Sequence, residues 1–206
     1  MTKSDRPAST ALQMMETAWA LRSAALAGPA GDVDKRLDEV RTRLVSAVEL
    51  LRGEEEPVLL AHALHLCAHV EADLGHRARA RELWEESIAL LRTADDPLQL
   101  AHKVRHLGDL LRTDGALEDA RSLLEEAVAL HREHGEATGR NPNATLDLAN
   151  ALRRLALLSE QRTEPEAARE QWREARALYA QLGLAAGVDE AARHLRELAG
   201  EGATDD

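Results

Sequence analysis

The chain has one cysteine, Cys67, no phenylalanine, and aromatic residues at only 2% of its 206 positions. A single cysteine excludes an intrachain disulfide and a cysteine-based zinc finger. The aromatics are Trp19, Trp84, Trp172 and Tyr179. Sheets favour aromatic and β-branched residues, so this scarcity argues against a β fold. Positive charge is short as well: 26 Lys and Arg against 37 Asp and Glu give a formal charge of −11. That balance argues against nucleic acid and anionic membrane as partners. The opening "MTKSDRPAST" lacks the apolar centre of a signal peptide, and no run reaches membrane-spanning length. A soluble, cytoplasmic protein is the expectation. There is no HExxH signature and no glycine-rich phosphate loop; Gly28, Gly31 and Gly187 are isolated turn residues. No cofactor and no catalytic residue is expected.

What remains is rich in helix formers. The apolar share of 44% comes almost entirely from Ala, Leu and Val, accompanied by Arg and Glu. An all-α fold follows. The helices also repeat. "LHLCAHVEADLGHRARARELWEESIALLR" (64–92) aligns with "VRHLGDLLRTDGALEDARSLLEEAVALHR" (104–132), so that Gly75 falls on Gly115, Ala80 on Ala120 and Trp84 on Leu124, a period of 40. A third copy, "LRRLALLSEQRTEPEAAREQWREARALYA" (152–180), follows after a further 48, with Ala168, Trp172 and Ala175 matching Ala120, Leu124 and Ala127. The eight additional residues fit in "REHGEATGRNPN". Each copy reads as a helix, a turn and a second helix, with small residues where the backbones approach.

The pattern Leu107-Gly108, Leu111, Gly115, Ala120, Leu124, Ala127 resembles the tetratricopeptide (TPR) repeat. The third copy carries Leu155-Ala156, Ala168, Trp172 and Ala175; the first carries Cys67-Ala68, Gly75, Ala80, Trp84 and Ser87. The family's usual aromatic in the first helix is replaced by Glu71, Leu111 and Ser159. The long period is similar to that of kinesin light chains and bacterial peptide sensors, against ~34 residues in the usual repeat. The resemblance implies an α-solenoid of stacked antiparallel helix pairs. The expected organisation is a disordered start (1–7), a degenerate leading helix pair (8–58), repeats at 59–97, 98–142 and 143–183, a closing helix (184–200), and a disordered tail (201–206).

In that family the first helix of each pair lines a concave groove. The resemblance therefore assigns His62, His65 and His69 to the groove in the first copy. Their counterparts are His102, Arg105 and Asp109, with Arg112 one turn on, and then Asn150, Arg153 and Leu157, with Glu160 beyond. His106 and Arg154 lie beside the strip. Four readings compete for the histidines: ordinary groove lining, recognition of an acidic or carboxylate-bearing partner, a metal site, or a pH switch. For the partner, Lys103, Arg105, Arg112, Arg153 and Arg154 would supply charged donors. Relatives that clamp a peptide carboxylate use Lys, Asn and Arg at these places; here His65, His69, His106 and Asn150 depart from that set and Arg154 fits it. For a metal, His62/His65, His65/His69 and His102/His106 have the i,i+3 or i,i+4 spacing that lets two imidazoles share one zinc or copper ion.

The remaining candidates read as structural. Cys67 falls at a core position between Leu64 and Ala68, and Glu85/Glu86 and Glu125/Glu126 fall on outer helix faces. Trp84 and Trp172 are packing residues, whereas the Met14, Met15 and Trp19 stripe could serve core or dimerisation. The expected function is a non-catalytic adaptor that binds a protein or peptide through His65, His69, His102, Arg105, Asp109, Arg112, Asn150, Arg153 and Arg154. The alternatives are a metal- or small-molecule-binding protein and a self-association module that forms a homodimer.

Overall fold

The computed structural model describes residues 5–135 and 142–200, and those residues form nine α-helices and no strand. The helices are α1 (Asp5–Ala27), α2 (Val33–Leu51), α3 (Pro57–Asp73), α4 (Arg77–Thr93), α5 (Pro97–Thr113), α6 (Leu117–Gly135), α7 (Pro142–Gln161), α8 (Pro165–Gln181) and α9 (Ala185–Ala199). A short 3-10 turn, Ala30–Asp32, leads into α2. Four helices begin on a proline, Pro57, Pro97, Pro142 and Pro165. Proline suits that position because its missing N–H would have no intrahelical partner there. No helix among the described residues is long and apolar enough to cross a membrane.

One turn recurs between paired helices. The N–H of His76, Ala116, Glu164 and Leu184 reaches back to the carbonyl of Glu71, Leu111, Ser159 and Tyr179, at 2.8, 2.9, 2.9 and 2.9 Å respectively. This contact closes the helix end and needs a left-handed residue just before it. Gly75, Gly115 and Gly183 supply it with φ of 79°, 82° and 70°. In the third copy Thr163 takes the position with φ 61°, at the cost a β-branched side chain meets there.

The chain divides into two compact units, residues 1–96 and 97–206. In the first, α1 packs on α2 and α3, α2 on α3, and α3 on α4. The leading pair is therefore built into that unit. Ala80, Trp84, Ser87 and Ile88 are buried there, and the Ser87 hydroxyl donates to the Ala61 carbonyl at 2.7 Å. In the second unit α5 packs on α6 and α7, α6 on α7, α7 on α8 and α8 on α9. Close approach is sharpest at Gly108, where an added Cβ would sit 2.8 Å from Leu124 Cγ. Leu124, Trp172, Ala168 and Ala175 are fully buried, and α9 covers Trp172 with Ala191, Leu195 and Leu198.

Two expectations meet the helix ends. α1 begins at Asp5, within the segment expected to be disordered, while residues 1–4 and the tail 201–206 lie outside the described residues. The insertion between the second and third copies goes partly into helix: α6 runs to Gly135 and α7 starts at Pro142, and residues 136–141 lie outside the described set.

Candidate functional site

In the first unit the histidines of α3 form a connected set. His65 is buried, and the Trp84 indole N–H of α4 donates to its Nδ1 at 3.0 Å. An indole nitrogen can only donate, so Nδ1 accepts and the neutral ring carries its proton on Nε2. That Nε2 stands 3.2 Å from Nε2 of His69. The proton is therefore given to His69, whose Nε2 accepts. His69 lies edge-on to Trp84 and to Trp19 of α1, with ring centroids 5.4 and 5.6 Å away. Arg22 places its guanidinium 4.5 Å above the Trp19 ring and bonds Asp73 with two nitrogens at 2.5 and 3.0 Å. His62, half-buried, stacks beside His65 at 6.4 Å.

This wiring bears on the metal reading. A metal-bound imidazole ordinarily donates its second N–H to an acceptor. At His65 the second nitrogen faces a donor, so ligation through Nε2 would set two N–H groups against each other. His102 and His106 meet a similar obstacle. Their rings are 4.8 Å apart, and Arg105 directs its Nη2 toward His106 Nε2 at 2.9 Å and His102 Nδ1 at 3.4 Å. A guanidinium is a cation and a donor only, so at His106 it takes up a lone pair that a metal would need.

In the second unit the arginines are already engaged. Arg112 donates twice to Asp109 Oδ1, at 3.0 and 2.8 Å, and Arg154 reaches Oδ2 of the same carboxylate at 3.2 Å. Arg153 forms a two-pronged pair with Glu190 of α9 at 2.6 and 2.5 Å. Asn150 accepts from the Tyr179 hydroxyl at 2.9 Å. Arg105 is 6% exposed; burial pushes its guanidinium pKa down, with Asp147 opposing. Lys103 is buried as well and contacts the Gln99 side-chain oxygen. Burial also pushes the His102 imidazole down. Asp147 stands 3.6 Å from His102 Nδ1; burial raises its carboxyl, yet His102, His131 and Arg105 together hold it below the usual range. Four arginines (105, 112, 153, 154) and Lys103 lie among three carboxylates (Asp109, Asp147, Glu190), so positive charge is in excess.

The residues named from the sequence lie at two depths on the first helices, and two further carboxylates join them. His65, Lys103 and Arg105 are buried supports rather than open contacts, whereas His62, His69, His102, His106, Asp109, Arg112, Asn150, Arg153 and Arg154 keep partial exposure. Asp147 and Glu190 belong to the set, and the sequence reading does not single them out. Asp147 could have been found one turn before Asn150 on α7; Glu190 lies on the closing helix, which reads from sequence only as a cover. Beyond Arg153, Glu160 accepts from the Trp172 indole at 2.5 Å and from His194 at 2.9 Å.

The other candidates behave as structure. Cys67 is buried, and desolvation pushes its thiol up to about 12, far from a reactive thiolate. Glu85, Glu86 and Glu125 pair with Arg81, Arg52 and Arg121 on exposed faces.

Among solved structures the chain is similar to a kinesin-light-chain-type protein of Podosopora anserina with nearly identical TPR-like repeats, at 15% identity and a TM-score of 0.55, covering 97% of this chain and 99% of that one. A single-substitution variant of that protein matches at 16% identity and a TM-score of 0.55, covering 95% and 96%. A Rap protein complexed with Competence and Sporulation Factor matches at 18% and 0.48 over 80% of this chain and 48% of that one, too distant to argue from. No family model matches the sequence, nor does any curated protein. At such identities the likeness speaks to the fold, and the fold is that of a TPR-like helical repeat protein.

Proposed function

We propose that the protein is a non-catalytic adaptor that holds a segment of a partner protein against the polar faces of its first helices. The observation that carries the reading is the unequal distribution of polar side chains. α3, α5 and α7 carry partly buried imidazoles, guanidiniums and carboxylates, held within the helix as in Arg112–Asp109 or by a neighbouring helix as in Trp84–His65 and Arg154–Asp109. α4 and α6 carry pairs at more exposed positions, such as Arg81–Glu85 and Arg132–Glu174. Side chains held in place before binding lose little freedom when a partner arrives. In the first unit Trp19, His62 and His69 would offer aromatic and hydrogen-bonding contact. In the second, Asp109 is shared by Arg112 and Arg154, and the surplus positive charge favours a carboxylate-bearing segment.

The test is capture of partners from a source lysate by wild type, Arg154→Ala and the outer-face control Arg81→Ala. Proteins held by wild type and Arg81→Ala but lost from Arg154→Ala support the reading. Equal capture by all three contradicts it.

A second reading, self-association, has its own observation. Leu12, Trp19, Leu21 and Leu26 of α1 are each more than one third exposed. A solution mass that rises with concentration and falls back in Leu26→Glu would support it; a concentration-independent mass would not.

A further inference from the structure

We infer that His131 is an acid-sensing lock in the second unit: a proton taken up by its ring loosens α6 from α5 and α7 and disturbs the Arg105–His102–Asp147 cluster. His131 sits near the end of α6, 2% exposed, and neither ring nitrogen has a hydrogen-bond partner among the described residues. α6 packs on α5 and α7, and the charges that act on the ring are Arg105 and His102 of α5 and Asp147 of α7. Arg105 is itself buried, and its Nε lacks a partner among the described residues. A neutral imidazole is tolerable in such a place. An imidazolium is not, because it would be desolvated, without an acceptor among the described residues, and within the field of a buried guanidinium. Asp147 is the only opposite charge among these three neighbours, and it is already committed to His102 and Arg105.

Desolvation lowers the His131 imidazole from 6.5 to about 4. The unfolded chain therefore takes the proton first, and the sign follows. The contribution to stability is full above pH 6.5, declines as pH falls, and is lost below pH 4. Each pH unit in that window is worth about tenfold in the folding equilibrium. The consequence for partner binding rests on the adaptor reading, because Arg105 and His102 lie on the proposed contact strip; the lock itself does not, and its test uses no partner.

The experiment is denaturant unfolding of the full chain at about pH 7 and about pH 4.5 for wild type, His131→Leu and His131→Gln, with NMR titration of the wild-type His131 Cε1–H. Between those pH values wild type is expected to lose about sixtyfold more of its folding equilibrium constant than His131→Leu. The His131 resonance is expected to hold its neutral position until pH approaches 4. Hydrogen exchange at low pH should rise first in α5, α6 and α7. The same pH loss in wild type and variants, or an imidazole titrating near 6.5, overturns the inference. Should the variants not fold, the wild-type titration decides alone.

Discussion

The two units place polar groups on equivalent helix faces but secure them by different means. The first uses neutral hydrogen bonds and ring contacts around its histidines, Trp84 to His65 and His65 to His69 with Trp19 alongside, and sets the Arg22–Asp73 ion pair at their edge. The second uses charge pairs: Arg112 and Arg154 on Asp109, and Arg153 on Glu190. Repeat position does not explain the difference, since Trp84 and Trp172 occupy matching places. What differs is the acceptor each indole finds, His65 in one and Glu160 in the other. Neutral relays depend on tautomer and shape and are little affected by salt. Ion pairs at partly exposed positions weaken as salt screens them. One backbone plan therefore carries two responses to solution conditions.

The largest expected effect removes the pivot of the first unit. Trp84→Ala should cost about 3–5 kcal/mol, from the cavity and from stranding the buried His65 nitrogen, read by denaturant unfolding. A loss under about 1 kcal/mol would mean that the indole–imidazole bond holds nothing together. Next comes Glu190→Gln, which should cost about 1 kcal/mol at low salt and progressively less as salt rises. Arg153 holds the Glu190 carboxyl below its ordinary range, so this contribution is present above the unfolded pKa and lost as pH falls through the folded one. Salt-independent behaviour of Glu190→Gln would remove the contrast between the units. The smallest effect concerns the third turn. Thr163→Gly should raise stability by roughly 0.5–1 kcal/mol by relieving a left-handed threonine, despite the freedom glycine gains in the unfolded chain. A destabilised Thr163→Gly would show that the threonine side chain compensates for its backbone.

The turns and the packing were legible because both follow from residue size and backbone freedom. Gly75 and Gly115 mark left-handed positions, and Ala120, Ala127 and Gly108 mark close approach; all of these can be read from a single alignment of the chain on itself. Thr163 breaks that code, yet the turn persists because the repeated backbone hydrogen bond outweighs a modest strain. The polar strip was legible in outline only. Helical spacing sets His62, His65 and His69 on one face but says nothing about depth. Depth at His65 is decided by Trp84, a residue 19 positions later whose N–H needs an acceptor. Pairing of the arginines was hidden for the same reason: Arg153 and Glu190 are 37 residues apart, and no local spacing connects them. His131 escaped notice because a lone imidazole on a second helix carries no motif.

The central claim is that partner contact falls on the first-helix faces. The most direct measurement is photo-crosslinking with a reactive residue placed in turn at His62 of α3 and Arg154 of α7, and at Arg81 of α4 and Arg173 of α8 on the outer faces. The expected result is that the two first-helix positions crosslink to partner protein while the two second-helix positions stay silent. Crosslinks of equal yield from Arg81 or Arg173 would contradict it.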